Sequence, residues 1–278
     1  MYLSLNAVPI GGKPTWPEFA RLASRAGFIG VDIMLDAAMA DGVEKTRALL
    51  AELKLKPAFI NLPVEFRKDD QTFKASLPKL EDAGPFAAAI GCPRVMTYLM
   101  SSSPTPKDEL RRIYKARLSE CGRILARSHC RLGLEFLGPL HIRRSNPHEF
   151  IWKMPEMLEF AKECGSNAGL TLDAWHWHHA GGTVSDILNA KGRIVVVHFD
   201  DSEKLPPEEI RDNQRLLPGE GVIDLAGFLK ALQTIGYKDS LSVEVFGRGL
   251  RELPAEEAAR LCLESGRAVL KRAGIVEH

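Results

Sequence analysis

Cysteine is scarce in this chain and carries no pattern: the five thiols, Cys92, Cys121, Cys130, Cys164 and Cys262, are scattered and include no C-x-x-C pair. That disfavours a disulfide framework and a cysteine-built zinc site, and reads as the reduced thiols of a cytoplasmic protein. An excess of one charge is lacking as well. The formal net charge is +1 with the two signs interspersed, so there is neither a polybasic footprint for nucleic acid nor an acidic tail. No uninterrupted apolar stretch reaches membrane-spanning length, and the opening MYLSLNAVPI runs straight into strand-like sequence with no leader-like segment. No Gly/Ser/Pro-rich linker or low-complexity run divides the 278 residues, so one domain over 1–278 is expected. What is present is a 45% hydrophobic composition, enough for a large core. The expected partner is a small molecule, with a homo-oligomer left open.

Short apolar runs of strand length alternate with longer stretches of helical period. The strand candidates are LSLNAV from Leu3, GVDIML from Gly30, KPAFINL from Lys56, RVMTYLM from Arg94, LGLEFLG from Leu132, GLTLDAW from Gly169, IVVVHFD from Ile194 and LSVEVFG from Leu241. Between them lie amphipathic segments such as WPEFARLASRAG and DLAGFLKALQTIG, and PAEEAARLCLESGRAVLKRAG closes the chain. Eight alternating units predict an α/β fold of the (β/α)8 TIM-barrel type, with a doubly wound open sheet as the other candidate.

Alternate residues of a strand face opposite ways. Leu132, Leu134 and Phe136 share one face and leave Glu135 on the other; Leu170 and Leu172 oppose Thr171 and Asp173. Likewise Val195, Val197 and Phe199 oppose Val196 and His198, and Leu241, Val243 and Val245 oppose Ser242 and Glu244. If the bulky face packs on helices, Glu135, Asp173, His198 and Glu244 all point into the barrel late in their strands, where such barrels keep their chemistry. Singly, each has a bland reading: a helix N-cap for a carboxylate, a hydrogen-bonded core residue for the histidine. Together, three carboxylates at one mouth repel, and no inward Arg or Lys on these strands neutralises them. A divalent cation resolves the conflict. One imidazole nitrogen with carboxylate oxygens suits Mn²⁺, Zn²⁺ or Co²⁺, and suits Ca²⁺ less; Mg²⁺ is a further candidate.

The strand ends LEFLG, LDAWHWH, VHFDD and VEVF, with the loop NQRLLPGEGVIDL, resemble the xylose-isomerase-like barrel superfamily of sugar (phosphate) isomerases and epimerases. The likeness is greatest to the inosose (2-keto-myo-inositol) isomerase branch and strongest from Leu132 onward. It implies metal ligands at Glu135, Asp173, His198 and Glu244, the same four that strand parity selects. It also implies substrate binding by His176 and Arg215. His178 and His179 read as supporting or surface residues, and Trp175 and Trp177 as packing under the loop. Two departures narrow the branch. His141 stands where ketohexose epimerases of the superfamily carry an acid, and Leu137 where its dehydratases tend to carry a histidine.

The expected reaction is a metal-dependent isomerisation of a keto-polyol or keto-sugar through an enediolate, with Glu135 and Glu244 as base and acid. Epimerase and lyase outcomes share that enediolate and are the alternative. A related apurinic-site endonuclease would need more ligands and a basic face than this chain has. A barrel that binds without turnover is separated from an enzyme by any observed turnover of an inosose or ketose.

Overall fold

The computed structural model describes residues 1–278. Its central sheet is parallel and contains nine strand pieces, and the two end pieces of the order, Lys56–Pro57 and Ile60–Asn61, are separated in the chain by two residues. They are halves of one strand. Its first half pairs with Gly30–Val31 and its second with Arg94–Leu99, so the sheet closes on itself. Counted this way there are eight strands: Tyr2–Leu5, Gly30–Val31, the broken 56–61, Arg94–Leu99, Arg131–Phe136, Ala168–Asp173, Ile194–His198 and Ser240–Val243. The last pairs with the first. The eight predicted runs therefore supply the eight strands, and the closed barrel replaces the open-sheet alternative.

Helices wrap the outside because their apolar stripes match the outward strand faces. Trp16–Ala26 is representative: Thr15 and Glu18 close a capping box at its start, Gly27 ends it at positive φ, and Trp16, Phe19 and Leu22 bury against the sheet. The helix-side core is one cluster of 80 buried residues, whereas the barrel's apolar interior is only five: Ala58, Phe59, Met96, Val195 and Val196. The space above these five is polar.

One strand-face expectation is corrected. Val195 belongs to the interior, beside Val196, while Val197 and Phe199 join the helix side. Ile194 pairs with Leu170 and Val196 with Thr171, so Val195 is an extra residue in a β-bulge. It fits because glycines face it: a Cβ on Gly169 would come within 3.0 Å of Val195 Cγ2, and one on Gly133 within 3.3 Å of its Cβ. The bulge restores parity, and His198 pairs with Asp173 on the inward face.

At the C-terminal mouth the loop after Phe199 folds back on itself, pairing Asp201–Ser202 antiparallel with Arg215–Leu216. Asp201 fixes this return. Its carboxylate accepts hydrogen bonds from the backbone N–H groups of Ser202, Gly219, Gly221 and Ile223 at 2.8–3.0 Å. No helix is long and apolar enough to cross a membrane.

Candidate functional site

Glu135 is the penultimate residue of the fifth strand, Asp173 ends the sixth and His198 the seventh, and Glu244 follows directly on the eighth. One ligand atom from each lies within 4.8 Å of all the others. His198 presents Nδ1 to the carboxylates, 3.0 Å from Glu135 Oε1, 3.1 Å from Glu244 Oε2 and 3.6 Å from Asp173 Oδ2. Its Nε2 is buried without a hydrogen-bond partner, and the Phe59 ring packs against the imidazole with centroids 5.5 Å apart. Donors sharing one ion at roughly 2.1 Å stand no more than roughly 4.2 Å apart, so small side-chain adjustments would gather the four on a single cation. The three-oxygen, one-nitrogen donor set fits a divalent ion of the first transition row.

The electrostatics describe the same convergence. Burial pushes His198 toward neutrality, but Glu244 and Glu135 outweigh it and hold the imidazole well above its ordinary value. Burial pushes Glu135 up to about 7 despite the opposing pull of His198. Burial also disfavours the charged forms of Asp173 and Glu244, yet both stay below the usual carboxylate range. For Asp173 the Arg215 charge is the chief opposing cause, and for Glu244 it is His198. A cation entering this cluster would displace the proton that it holds.

Arg215 supplies what the strands lack. The Asp201-anchored loop brings its guanidinium into the site, where Nη1 lies 2.7 Å from Asp173, 2.8 Å from Asp200 and 3.1 Å from Glu244. Nε and Nη2 reach Asp212 at 3.1 and 2.9 Å, and Nη2 donates to His176 Nε2 at 3.2 Å. The expectation that nothing on the strands neutralises the acids therefore holds, but a loop cation does so. His176 is buried and its imidazole is held neutral, lowered to about 4 by that burial. Because Nε2 accepts from Arg215, the ring proton resides on Nδ1, which has no protein partner.

All six predicted site residues thus meet at one mouth. Glu135, Glu244, His176 and Arg215 line a cavity of about 480 Å³, and His141 stands in its wall. His179 lies outside it, with Nε2 2.9 Å from Ser202 Oγ and its ring 4.5 Å from that of Trp175. Trp175 and Trp177 are buried packing residues.

Besides the half-exposed Asp212, two buried acids beside the cluster escaped the sequence reading. Asp200 is fully buried, accepts from the Trp175 backbone N–H at 3.0 Å and from Arg215, and is pushed well up by burial and by Asp173. Its signal was parity, since it lies two residues beyond His198. Asp32, on the opposite side of the barrel, accepts from Ser4 Oγ at 2.9 Å and Ser242 Oγ at 2.6 Å, while Asn6 Nδ2 donates to Ser242 Oγ at 3.1 Å. These bonds tie the first, second and eighth strands together just below Glu244.

A closed eight-stranded parallel barrel with an acid–histidine cluster at its C-terminal mouth defines a class of metal-site barrels. The xylose isomerase-like TIM barrel family matches residues 20–265, and the chain belongs to that family. An inosose isomerase of Halalkalibacterium halodurans is 30% identical over 210 residues, 74% of this chain and 72% of the relative. Another inosose isomerase, of Bacillus velezensis, is 27% identical over 222 residues, 78% and 77% of the two chains. A xylose isomerase domain protein from Alicyclobacillus acidocaldarius superposes with a TM-score of 0.90 at 25% identity over 99% of both chains. The IOLI protein, solved with a bound zinc atom, superposes at 0.83 with 24% identity over 98% of this chain and 99% of that one, a likeness of fold.

Proposed function

We propose that this chain is a divalent-metal-dependent isomerase of a keto-polyol or keto-sugar, of the inosose isomerase kind, working through an enediolate. The observation that carries the reading is the placement of Glu135 and Glu244. Each has an oxygen about 3 Å from His198 Nδ1 and both line the 480 Å³ cavity, so two carboxylates face one substrate-sized space. The names of the curated relatives point to the same reaction.

Glu135, Asp173, His198 and Glu244 would hold the ion, Mn²⁺ or Zn²⁺ first by their donors, Co²⁺ or Mg²⁺ as alternatives. When bound, such an ion supplies positive charge that stabilises an oxyanion developing beside the reacting carbon. The chain's own residues handle the protons. One of the two glutamates removes the proton from the hydroxyl-bearing carbon next to the substrate carbonyl, the other, protonated, gives one to the former carbonyl carbon, and the hydroxyl proton passes to the former carbonyl oxygen. His176 offers its Nδ1–H to a substrate oxygen. Arg215 orients substrate oxygens while it fixes Asp173 and Glu244. This reading places the protein in the cytoplasm, in carbohydrate metabolism of the inositol-catabolic kind, with a neutral cyclic polyol ketone or keto-sugar as its partner rather than nucleic acid or membrane.

The test is proton exchange. Metal-loaded protein is incubated in D₂O with inososes, ketohexoses and 3-keto-glycosides, and NMR follows loss of the C–H signal next to the carbonyl and appearance of the isomer. Washout in an inosose with formation of its isomer is the expected result. Absence of exchange in every ketone from fully metallated protein would overturn the reading.

A further inference from the structure

The mouth has a second half. Strands five to eight carry the acid–histidine cluster, while strands three and four bring Asn61 and Tyr98 to the same mouth. Tyr98 pairs in register with Glu135 across the fourth and fifth strands, and Asn61 pairs with Met96. Both line the 480 Å³ cavity.

Neither is used by the fold in the ordinary way. Tyr98 is 44% exposed, although most large apolar side chains of the chain are buried. Its ring is nevertheless held from one side: the Arg67 guanidinium carbon stands 4.0 Å from the Tyr98 ring centroid and 4.3 Å from that of Phe66. Arg67 also donates to the Tyr98 carbonyl and, at 3.1 Å, to Thr97 Oγ1. An aromatic plate is thus braced on one face and open toward the cavity. The side-chain amide of Asn61 makes no hydrogen bond within the protein and borders a second space, of about 210 Å³, that reaches His198 and Glu244 from the strand-one side. It offers both a donor and an acceptor where the two spaces meet.

We propose that Tyr98 and Asn61 form a ring-binding subsite, in which the tyrosine takes one C–H face of a closed polyol ring and the asparagine amide takes a ring hydroxyl. The subsite selects cyclic over open-chain ligands. A closed ring presents a fixed apolar face to the aromatic plate, whereas an open chain must lose rotational freedom to present one. Asn61 and Tyr98 carry no formal charge, the Arg67 guanidinium on the braced face of the tyrosine is engaged by the Tyr98 carbonyl and Thr97 Oγ1, and the cation nearest the reacting end, Arg215, is already engaged by Asp173, Asp200, Asp212 and Glu244. Its ligand is therefore a neutral ring rather than one that carries a phosphate ester or a free carboxylate. The inference rests on the isomerase reading for the identity of the site, but its test does not need turnover.

The probes are myo-inositol, which has a ring but no carbonyl to enolise, and sorbitol, its open-chain counterpart. Binding of each to the metal-loaded protein is measured by calorimetry for the wild type, Tyr98→Phe, Tyr98→Leu and Asn61→Ala, with metal content and melting temperature recorded for all four. The wild type should prefer the ring. Tyr98→Leu should weaken myo-inositol roughly three- to tenfold and Asn61→Ala by a similar factor. Tyr98→Phe should bind like the wild type, and sorbitol should barely respond to any change. Equal binding of the two polyols by the wild type, no detectable binding of myo-inositol, or a ring preference that survives both Tyr98→Leu and Asn61→Ala would overturn the subsite. Ring preference as expected, with no proton exchange in any ketone, would instead overturn the isomerase reading and leave the subsite standing.

Discussion

The two halves of the barrel mouth differ in construction as well as in chemistry. Strands five and six are six residues long and continuously paired, whereas strand two is two residues long and strand three is broken into two such pieces. Glu135 and Asp173 rise from those two long strands, and His198 on the five-residue seventh and Glu244 just beyond the four-residue eighth join them in a mutually restrained cluster. The other half carries Asn6, Asp32 and Asn61 at the ends of the shorter first, second and third strands, with Tyr98 on the six-residue fourth at its border; only Asp32 is an acid. Ligand atoms for one ion have to be placed to within a few tenths of an ångström, and a long parallel ladder supplies that rigidity. A surface that admits and releases a substrate needs open space more than precision, and short strands leave it.

Breaking the rigid half should cost most. Glu135→Gln and Glu244→Gln keep size and one oxygen donor but lose the basic carboxylate, so turnover at saturating metal should fall roughly a hundred- to ten-thousand-fold. Steady-state kinetics with metal occupancy measured alongside decide this. Near-normal rates in both fully metallated variants would move the base elsewhere, with His176 next in line.

Arg215→Ala comes second. It leaves Asp173, Asp200 and Glu244 without their counter-charge, and metal-free protein should lose on the order of 3–5 kcal/mol, as when one partner is removed from a buried ion pair. Added divalent metal should recover part of the loss. Denaturant unfolding with and without chelator tests both statements, and an apo variant as stable as the wild type would contradict them.

Asp201→Ala removes the acceptor of four backbone N–H groups that fixes the loop carrying Arg215. A loss on the order of 2–3 kcal/mol is expected, together with weaker metal binding. Stability lost without any change in metal affinity would show that the loop's anchoring does not extend to the site.

The effect that is smallest per step of the experiment, one pH unit, concerns the short half. Burial raises the Asp32 carboxyl from its ordinary 3.8 to about 7, against the pull of Ser242, His198 and Ser4. The folded state therefore holds this proton more tightly than the unfolded chain. Asp32's contribution to stability falls as pH rises from about 4 to about 7, by at most roughly 1.4 kcal/mol per pH unit. Asp32→Asn should gain on the wild type over that window and keep a constant offset above it. Unfolding at pH 5, 6 and 7 measures the difference, and a flat offset would refute the assignment.

The closed barrel and the cluster were legible because both rest on period-two patterning. Outward Leu, Val and Phe force Glu135, Asp173, His198 and Glu244 inward whatever the loops do. What escaped lay where that rule stops or was not carried far enough. Arg215 enters from a loop, so no strand pattern announces its contact with Asp173 and Glu244. Asp200 obeys the parity of His198 one step further on, and Asp32 obeys that of Gly30 on a strand too short to show alternation. Val195 was assigned to the wrong face because a bulge changes parity within a run of valines that looks the same either way. Its only sign in the sequence was a pair of glycines, Gly133 and Gly169, on neighbouring strands.

That bulge has a consequence for how the chain should compare with its relatives. Because the register on either side of Val195 is already that of an uninterrupted ladder, deleting this residue leaves His198 opposite Asp173. A family alignment should therefore tolerate a one-residue gap at this place with the histidine column undisturbed. Relatives that carry the gap should keep the glycine equivalent to Gly133 all the same, because its added Cβ would still come within 2.6 Å of Thr171 Oγ1. The insertion should then come and go in the lineage independently of the glycine beside it.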